Sequence, residues 1–104
     1  MRNKYHAEKT VIDGIKFASK KEAKRYQELK KLEKAGEIRH LKLQVPFTLF
    51  EKNEYGNAVR YVADFTYYEG DQYVVEDVKG ILTPLYKLKK RIVAEHFGIK
   101  IKEV

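Results

Sequence analysis

The chain has 104 residues, room for one compact domain and no second. Its 43% hydrophobic and 36% charged residues, with eight Tyr and five Phe, suit a folded domain rather than a disordered one, and the absence of Cys excludes disulfides and thiolate metal sites. Twenty-two Lys and Arg against fifteen Asp and Glu leave a charge of +7, so the expected partner is a polyanion, nucleic acid first.

In chain order, residues 1–9 are polar and unpatterned, and are expected to be flexible. No apolar run approaches the ~20 residues that span a bilayer, so no membrane partner is expected. The polar start leads into no signal-like segment. The expectation is a soluble cytoplasmic protein. Thr10 to Phe17 sets two short apolar runs around Asp13-Gly14, a hairpin-turn dipeptide. Ser19 is an N-cap, and Ala23, Tyr26, Leu29 and Leu32 recur at helical spacing until Gly36, predicting a helix over 20–35. Alternating residues predict a strand over 42–51, which Pro46 restricts to an edge or a bulge. Residues 59–68 and 72–78 are β-branched and aromatic and join across Glu69-Gly70-Asp71 as a tight hairpin. Thr83-Pro84 opens a second helix over 84–97, with Leu85, Leu88 and Ile92 as its apolar stripe and Gly98 as its stop. A short strand over 99–104 completes an α+β domain, a mixed sheet flanked by two helices, with the N-terminal hairpin beside it.

The informative residues lie in the predicted long hairpin. A turn centred between Gly70 and Asp71 places Asp64 directly opposite Asp77, with Cβ atoms about 4.5–5.5 Å apart. Two carboxylates at that separation repel unless a cation lies between them or one takes up a proton. Alternation sends Glu76 to the other face, opposite Phe65, and keeps Lys79 with Asp77. A one-residue slip would pair Asp64 with Glu76 instead. Mg²⁺ or Mn²⁺ prefers such hard oxygen ligands, together with waters and phosphate oxygens, and a neighbouring ammonium offsets phosphate charge. That combination points to phosphodiester cleavage. The plainer reading is a solvated face carrying weak ion pairs.

Glu22 fits a capping box with Ser19, yet its direction on the helix lies between those of Tyr26 and Leu29, toward the sheet. It is therefore a candidate metal ligand, a capping residue, or both. Lys89 sits in the inner stripe of the second helix and either reaches a phosphate or snorkels to solvent. Lys87, Lys90 and Arg91 extend that basic run, and residues 79–102 hold a single acid, Glu95. Gln44 is a weaker candidate for a phosphate or metal-bound water. Tyr67, Tyr68 and Tyr73 are candidates for stacking bases, with core packing as the alternative. His6, His40 and His96 lack ligand spacing.

The segments Phe17-Ala18-Ser19-Lys20-Lys21-Glu22-Ala23, Leu43-Gln44, Tyr61-Val62-Ala63-Asp64-Phe65, Glu76-Asp77-Val78-Lys79-Gly80 and Thr83-Pro84-Leu85-Tyr86-Lys87-Leu88-Lys89 together resemble the PD-(D/E)XK nuclease superfamily. Within it the pattern is similar to small phage and prophage proteins catalogued as a domain of unknown function with a Holliday-junction-resolvase-like role. The resemblance runs from Thr10 to Val104 and implies an αβββαβ restriction-endonuclease-like core. It also implies metal ligands at Glu22, Asp64 and Asp77, Lys79 as the motif lysine, and Mg²⁺ or Mn²⁺ as cofactor. Ala63 stands where the superfamily name has proline. The reading is a metal-dependent DNA endonuclease with catalytic Asp64, Asp77, Lys79 and Glu22 and DNA contacts at Gln44, Lys87, Lys89, Lys90 and Arg91. Further expectations are a homodimer, phage replication or recombination proteins as partners, and the bacterial host cytoplasm as location. The alternative is a non-catalytic nucleic-acid-binding module that uses the basic helix and the tyrosine-bearing sheet.

Overall fold

A computed structural model of the chain describes residues 9–78 and 82–104. The expected flexible start, over residues 1–8, and the motif lysine Lys79 lie outside the described residues. The first hairpin pairs β1 (Thr10–Ile12) with β2 (Ile15–Phe17). Its turn places Asp13 at φ 54° and Gly14 at φ 76°, both left-handed, as a two-residue turn between twisted strands requires. The Asp13 carboxylate then accepts a hydrogen bond from the Tyr26 hydroxyl at 2.9 Å, tying the hairpin to the first helix.

That helix, α1 (Lys20–Lys34), starts where expected because Ser19 is extended and its hydroxyl accepts the Glu22 N–H at 3.1 Å. It ends at Ala35, followed by Gly36 at φ 80°. Its buried face, Ala23, Tyr26 and Leu29, forms one core with Phe17, Ile38, Phe65 and Tyr67.

The main sheet has the order β3 (Arg39–Phe50), β4 (Val59–Glu69), β5 (Gln72–Asp77), β6 (Lys102–Glu103). It is mixed: β3, β4 and β5 form an antiparallel meander, and β6 joins β5 in parallel. β3 begins at Arg39 rather than residue 42, across an irregularity that includes His40 at φ 57° and hides its start from a period-two pattern. As an edge strand it accommodates Pro46. The closing strand is shorter than the expected 99–104. Only Lys102 and Glu103 pair with β5, whereas Ile99 and Ile101 turn into the core.

The second helix, α2 (Pro84–Phe97), has the expected bounds, with Thr83 as N-cap and Gly98 left-handed at its end. Its apolar stripe is not the expected one. Leu85 and Leu88 are 60% and 54% exposed, and the residues that enter the core are Tyr86 and Val93, with Ile92 half-buried beside them. The helix is rotated so that the Tyr86 hydroxyl can reach Glu103 at 2.8 Å, a polar anchor that hydropathy spacing does not register. No described helix is long and apolar enough to cross a membrane.

The two helices cover opposite faces of the sheet. Along β5, Val74 and Glu76 face α1, while Val75 packs in the α2 core with Tyr86, Val93 and Ile101. The long strands change allegiance midway. In β4, Phe65 and Tyr67 pack with α1, but Tyr61 and Ala63 pack with α2. In β3, Leu41 and Leu43 go to the first core and Phe47 and Leu49 to the second. The exchange falls at Gln44, whose φ of 53° interrupts the extended backbone, and at Asp64, which faces it between the pairs Leu43–Phe65 and Val45–Ala63.

Phe65 is fully buried, so Phe65→Ala is expected to cost about 3–5 kcal/mol in urea denaturation. Leu85→Ala should change stability by no more than about 0.5 kcal/mol. A large loss at Leu85 would restore the sequence-based orientation of α2.

Candidate active site

The loop Gly70-Asp71 fixes the register of β4 and β5, and pairing runs from Glu69–Gln72 to Phe65–Glu76. The next rung brings Asp64 against Asp77, where β5 ends and β4 continues without it. This fork holds two acids that cannot both be comfortable as anions. Burial, together with a hydrogen bond to Asp77, pushes the Asp64 carboxyl up to about 7. The Val78 N–H donates to Asp64 Oδ2 at 2.8 Å and partly opposes that shift. Asp77 is buried, and its Oδ2 accepts the Tyr61 hydroxyl at 2.7 Å. Burial and this acceptor hold the Tyr61 hydroxyl well above the ordinary range, so it remains a donor.

Glu22 arrives from the first turn of α1 and is only 8% exposed. Burial, and then the charge of Asp77, raise its carboxyl, against a backbone hydrogen bond from Ala18. Gln44 joins it to the aspartates: Nε2 donates to Glu22 Oε1 at 3.2 Å and to Asp64 Oδ1 at 3.4 Å. One amide thus bridges two acids, one on α1 and one on β4, from a residue with left-handed backbone. A non-glycine residue in that conformation costs on the order of 1–2 kcal/mol, which the bridge and the surrounding strands must offset.

Glu76 takes no part in this cluster. It is fully buried on the α1 face, gripped by Arg25 through Nε at 2.7 Å and a second guanidinium nitrogen at 2.8 Å, and it also accepts the Tyr67 hydroxyl. Burial alone would raise its carboxyl, but the Arg25 and Tyr67 hydrogen bonds outweigh it and hold the group below its ordinary range. The pairing also ties α1 to β5, which fixes Glu22 relative to Asp77. Tyr67 is therefore engaged inside the core and is not available to a base. Tyr68 and Tyr73 pack on each other at 5.1 Å, with Arg39 over the Tyr68 ring.

Among the described residues, two clefts open on the cluster, and Asp64 lines both. One, of about 330 Å³, places Arg60, Tyr61, Tyr86 and Lys89 around Asp64 and Asp77. The other, of about 300 Å³, places Lys16, Phe17, Leu43 and Gln44 around Glu22 and Asp64. Of the expected DNA contacts, Gln44 therefore bonds the acids directly and Lys89 lines the cleft that holds them. Lys90 is paired with Glu103 at 2.9 Å and Arg91 with Glu95 at 3.2 Å, and Lys87 is exposed outside both clefts. Reading the sequence missed Arg25, Tyr61, Arg60 and Lys16. Arg25 follows Glu22 by three positions on the helix, a signal that was available; the others depend on which elements meet.

A family model described as "Protein of unknown function (DUF1064)" matches residues 2–103. The chain belongs to this family. No curated protein and no solved structure matches it significantly.

For this DUF1064 chain, the donor set has the right chemistry for a hard divalent ion: carboxylate oxygens that raise one another's proton affinity. It is not drawn together as a three-ligand set. Among the described residues no three His, Cys, Asp or Glu side chains close on one cation position. The arrangement is an aspartate pair, with Glu22 joined to it through the Gln44 amide.

The raised Asp64 carboxyl fixes the sign of a pH effect. Because the folded state holds a proton that the unfolded chain releases near pH 4, folding stability declines as pH rises from about 4 to about 7. Asp64→Asn removes that contribution and keeps an acceptor for Val78. Its stability relative to the parent protein should therefore increase steadily across that range in urea titrations at pH 4, 5.5 and 7. A constant difference would show that Asp64 titrates normally.

Proposed function

We propose that this protein is a PD-(D/E)XK-type nuclease that hydrolyses phosphodiester bonds in DNA at the Asp64–Asp77 pair, using Mg²⁺ or Mn²⁺. The supporting observation is the pair itself: two carboxyls hydrogen-bonded on adjacent strands at a fork, one pushed up to about 7, inside a cleft that also presents a lysine and an arginine. Above about pH 7 the deprotonated pair costs stability unless a cation offsets it, and acids perturbed in this way cluster at functional sites.

In this reading Asp64 and Asp77 would hold the ion, with Glu22 joined to them through the Gln44 amide. When bound, such an ion lowers the pKa of a water and offsets charge on the phosphate. The chain's own groups do the positioning. Val78 N–H and Gln44 hold Asp64, the Tyr61 hydroxyl holds Asp77, and Lys89 reaches from α2 toward a phosphate oxygen in the same cleft. Lys79 follows Asp77 by two positions and keeps the motif-lysine role that the superfamily resemblance assigns it. A homodimer cutting two strands of a branched recombination intermediate, with phage recombination proteins as partners in a host cytoplasm, is the accompanying biological reading.

The rival is a non-catalytic nucleic-acid-binding module. One observation favours it: the Gln44 amide already bridges Glu22 and Asp64, an arrangement that needs no metal. Calorimetric titration with Mn²⁺ separates the two. The nuclease reading expects one saturable site, abolished by Asp64→Ala, and strand cleavage that falls at least about 100-fold in Asp77→Ala or EDTA while DNA binding is kept or strengthened. Absence of a Mn²⁺ site, with binding intact, would establish the binder instead.

A further inference from the structure

Helix α1 sorts its charges. At about 100° per residue, Lys20, Lys24, Gln27, Lys31 and Lys34 fall within about 80° of its circumference, opposite Glu22, Tyr26 and Leu29, and all five are exposed. The row is about 21 Å long. The three acids of the helix are occupied elsewhere: Glu22 accepts from the Gln44 amide, Glu28 is held by Arg25 at 3.0 Å, and Glu33 accepts the Leu41 N–H at 3.0 Å and pairs with Lys30. Among the described residues Lys24, Lys31 and Lys34 make no ion pair, in contrast to Lys90 and Arg91 of α2, whose charges Glu103 and Glu95 already offset. Lys31 and Lys34 have a local reason for their place, since cations favour the last turn of a helix. Lys24 has none. The turn before it supplies Lys20 and Lys21, and the acid of the turn after it, Glu28, is engaged by Arg25. Like charges at such spacing cost helix stability, so the row is maintained against its own repulsion.

We infer that this row on the outer face of α1 is a docking track for the backbone of a duplex nucleic acid. The track rests on nucleic acid being the partner, which both readings above share, and does not need cleavage. Charge complementarity gives a polyanion, and what the row lacks decides which one. It carries no apolar residue: Ala23, Tyr26 and Leu29 of α1 are all buried, whereas a helix that lies on an anionic membrane inserts an apolar face. It carries no aromatic ring on which the bases of a single strand could stack. What remains is a line of ammonium groups on one rigid element. It suits a stiff lattice of phosphates, and a duplex presents one negative charge per about 1.7 Å of its axis. Such contacts position a duplex without reading its sequence. Glu22 lies in the first turn of the same helix, so a duplex docked on the row reaches the turn that carries one acid of the cluster.

The test is binding of a labelled blunt duplex oligodeoxynucleotide by fluorescence anisotropy, in EDTA so that no metal-dependent step contributes, over a series of salt concentrations. Lys24→Gln with Lys31→Gln removes two charges and keeps helix propensity. It should weaken binding at least about 10-fold at about 0.1 M salt and flatten the log–log salt slope by about 1.8, the value for two duplex phosphate contacts. The urea midpoint of this variant should stay level or rise, because like charges have been removed from one face. The matched control is Lys90→Gln with Arg91→Gln, which takes the same charge from the neutralised part of α2 and should change affinity less than about 2-fold. The track is overturned if the α1 pair leaves affinity and slope unchanged, if the α2 pair weakens binding as much, or if the urea midpoint falls with the affinity. It is overturned too if a single strand of the same length depends on the α1 pair and the duplex does not. A parent protein that binds no nucleic acid refutes both functional readings and the track with them, whereas duplex binding that ignores the α1 pair removes the track alone.

Discussion

Two carboxylates on facing rungs of a hairpin are the constraint around which the molecule is arranged. The repulsion between Asp64 and Asp77 would splay the fork, and each neighbouring group reduces or redirects it: a backbone amide on Asp64, a tyrosine hydroxyl on Asp77, and a glutamine amide between Asp64 and Glu22. These donors are neutral. They fix where the acids point, and burial beside Asp77 leaves Asp64 with a raised affinity for a proton.

A second acid, adjacent in sequence, shows the opposite treatment. Glu76 is buried more completely than Asp77, but Arg25 meets it with a two-pronged guanidinium contact and the ionised form prevails. The same stretch of β5 therefore carries one acid matched by a guanidinium and one set against a second acid, separated only by the alternation of the strand. Which is which depends on the two-residue turn at Gly70-Asp71, because a slip of one position would exchange their surroundings.

That turn was legible in the sequence, and so were most of its consequences: the hairpin register, the face of Glu76 and the antiparallel meander. The bounds of both helices were legible as well. Caps, glycines and a short loop encode these features locally. The apolar face of α2 was not legible, because Leu85 and Leu88 outrank Tyr86 in hydropathy while the tyrosine's hydroxyl partner, Glu103, lies seventeen positions away. Nor were the left-handed Gln44 and the exchange of cores at Asp64, since an interruption of alternation caused by one backbone dihedral leaves no trace in residue type. The basic run looked uniform along the chain, and only the positions of Glu95 and Glu103 distinguish its neutralised members from Lys89.

The division of the interior into two apolar clusters has a mechanical consequence. Neither cluster spans the sheet, and their boundary crosses β3 and β4 at Gln44 and Asp64. At this seam the strands β3 and β4 hand over from one packing unit to the other, so the backbone pairing between them is what joins the two. The acids thus stand where two packing units meet, and a ligand held by them would act as a clamp, fastening one unit to the other from the centre of the chain outward.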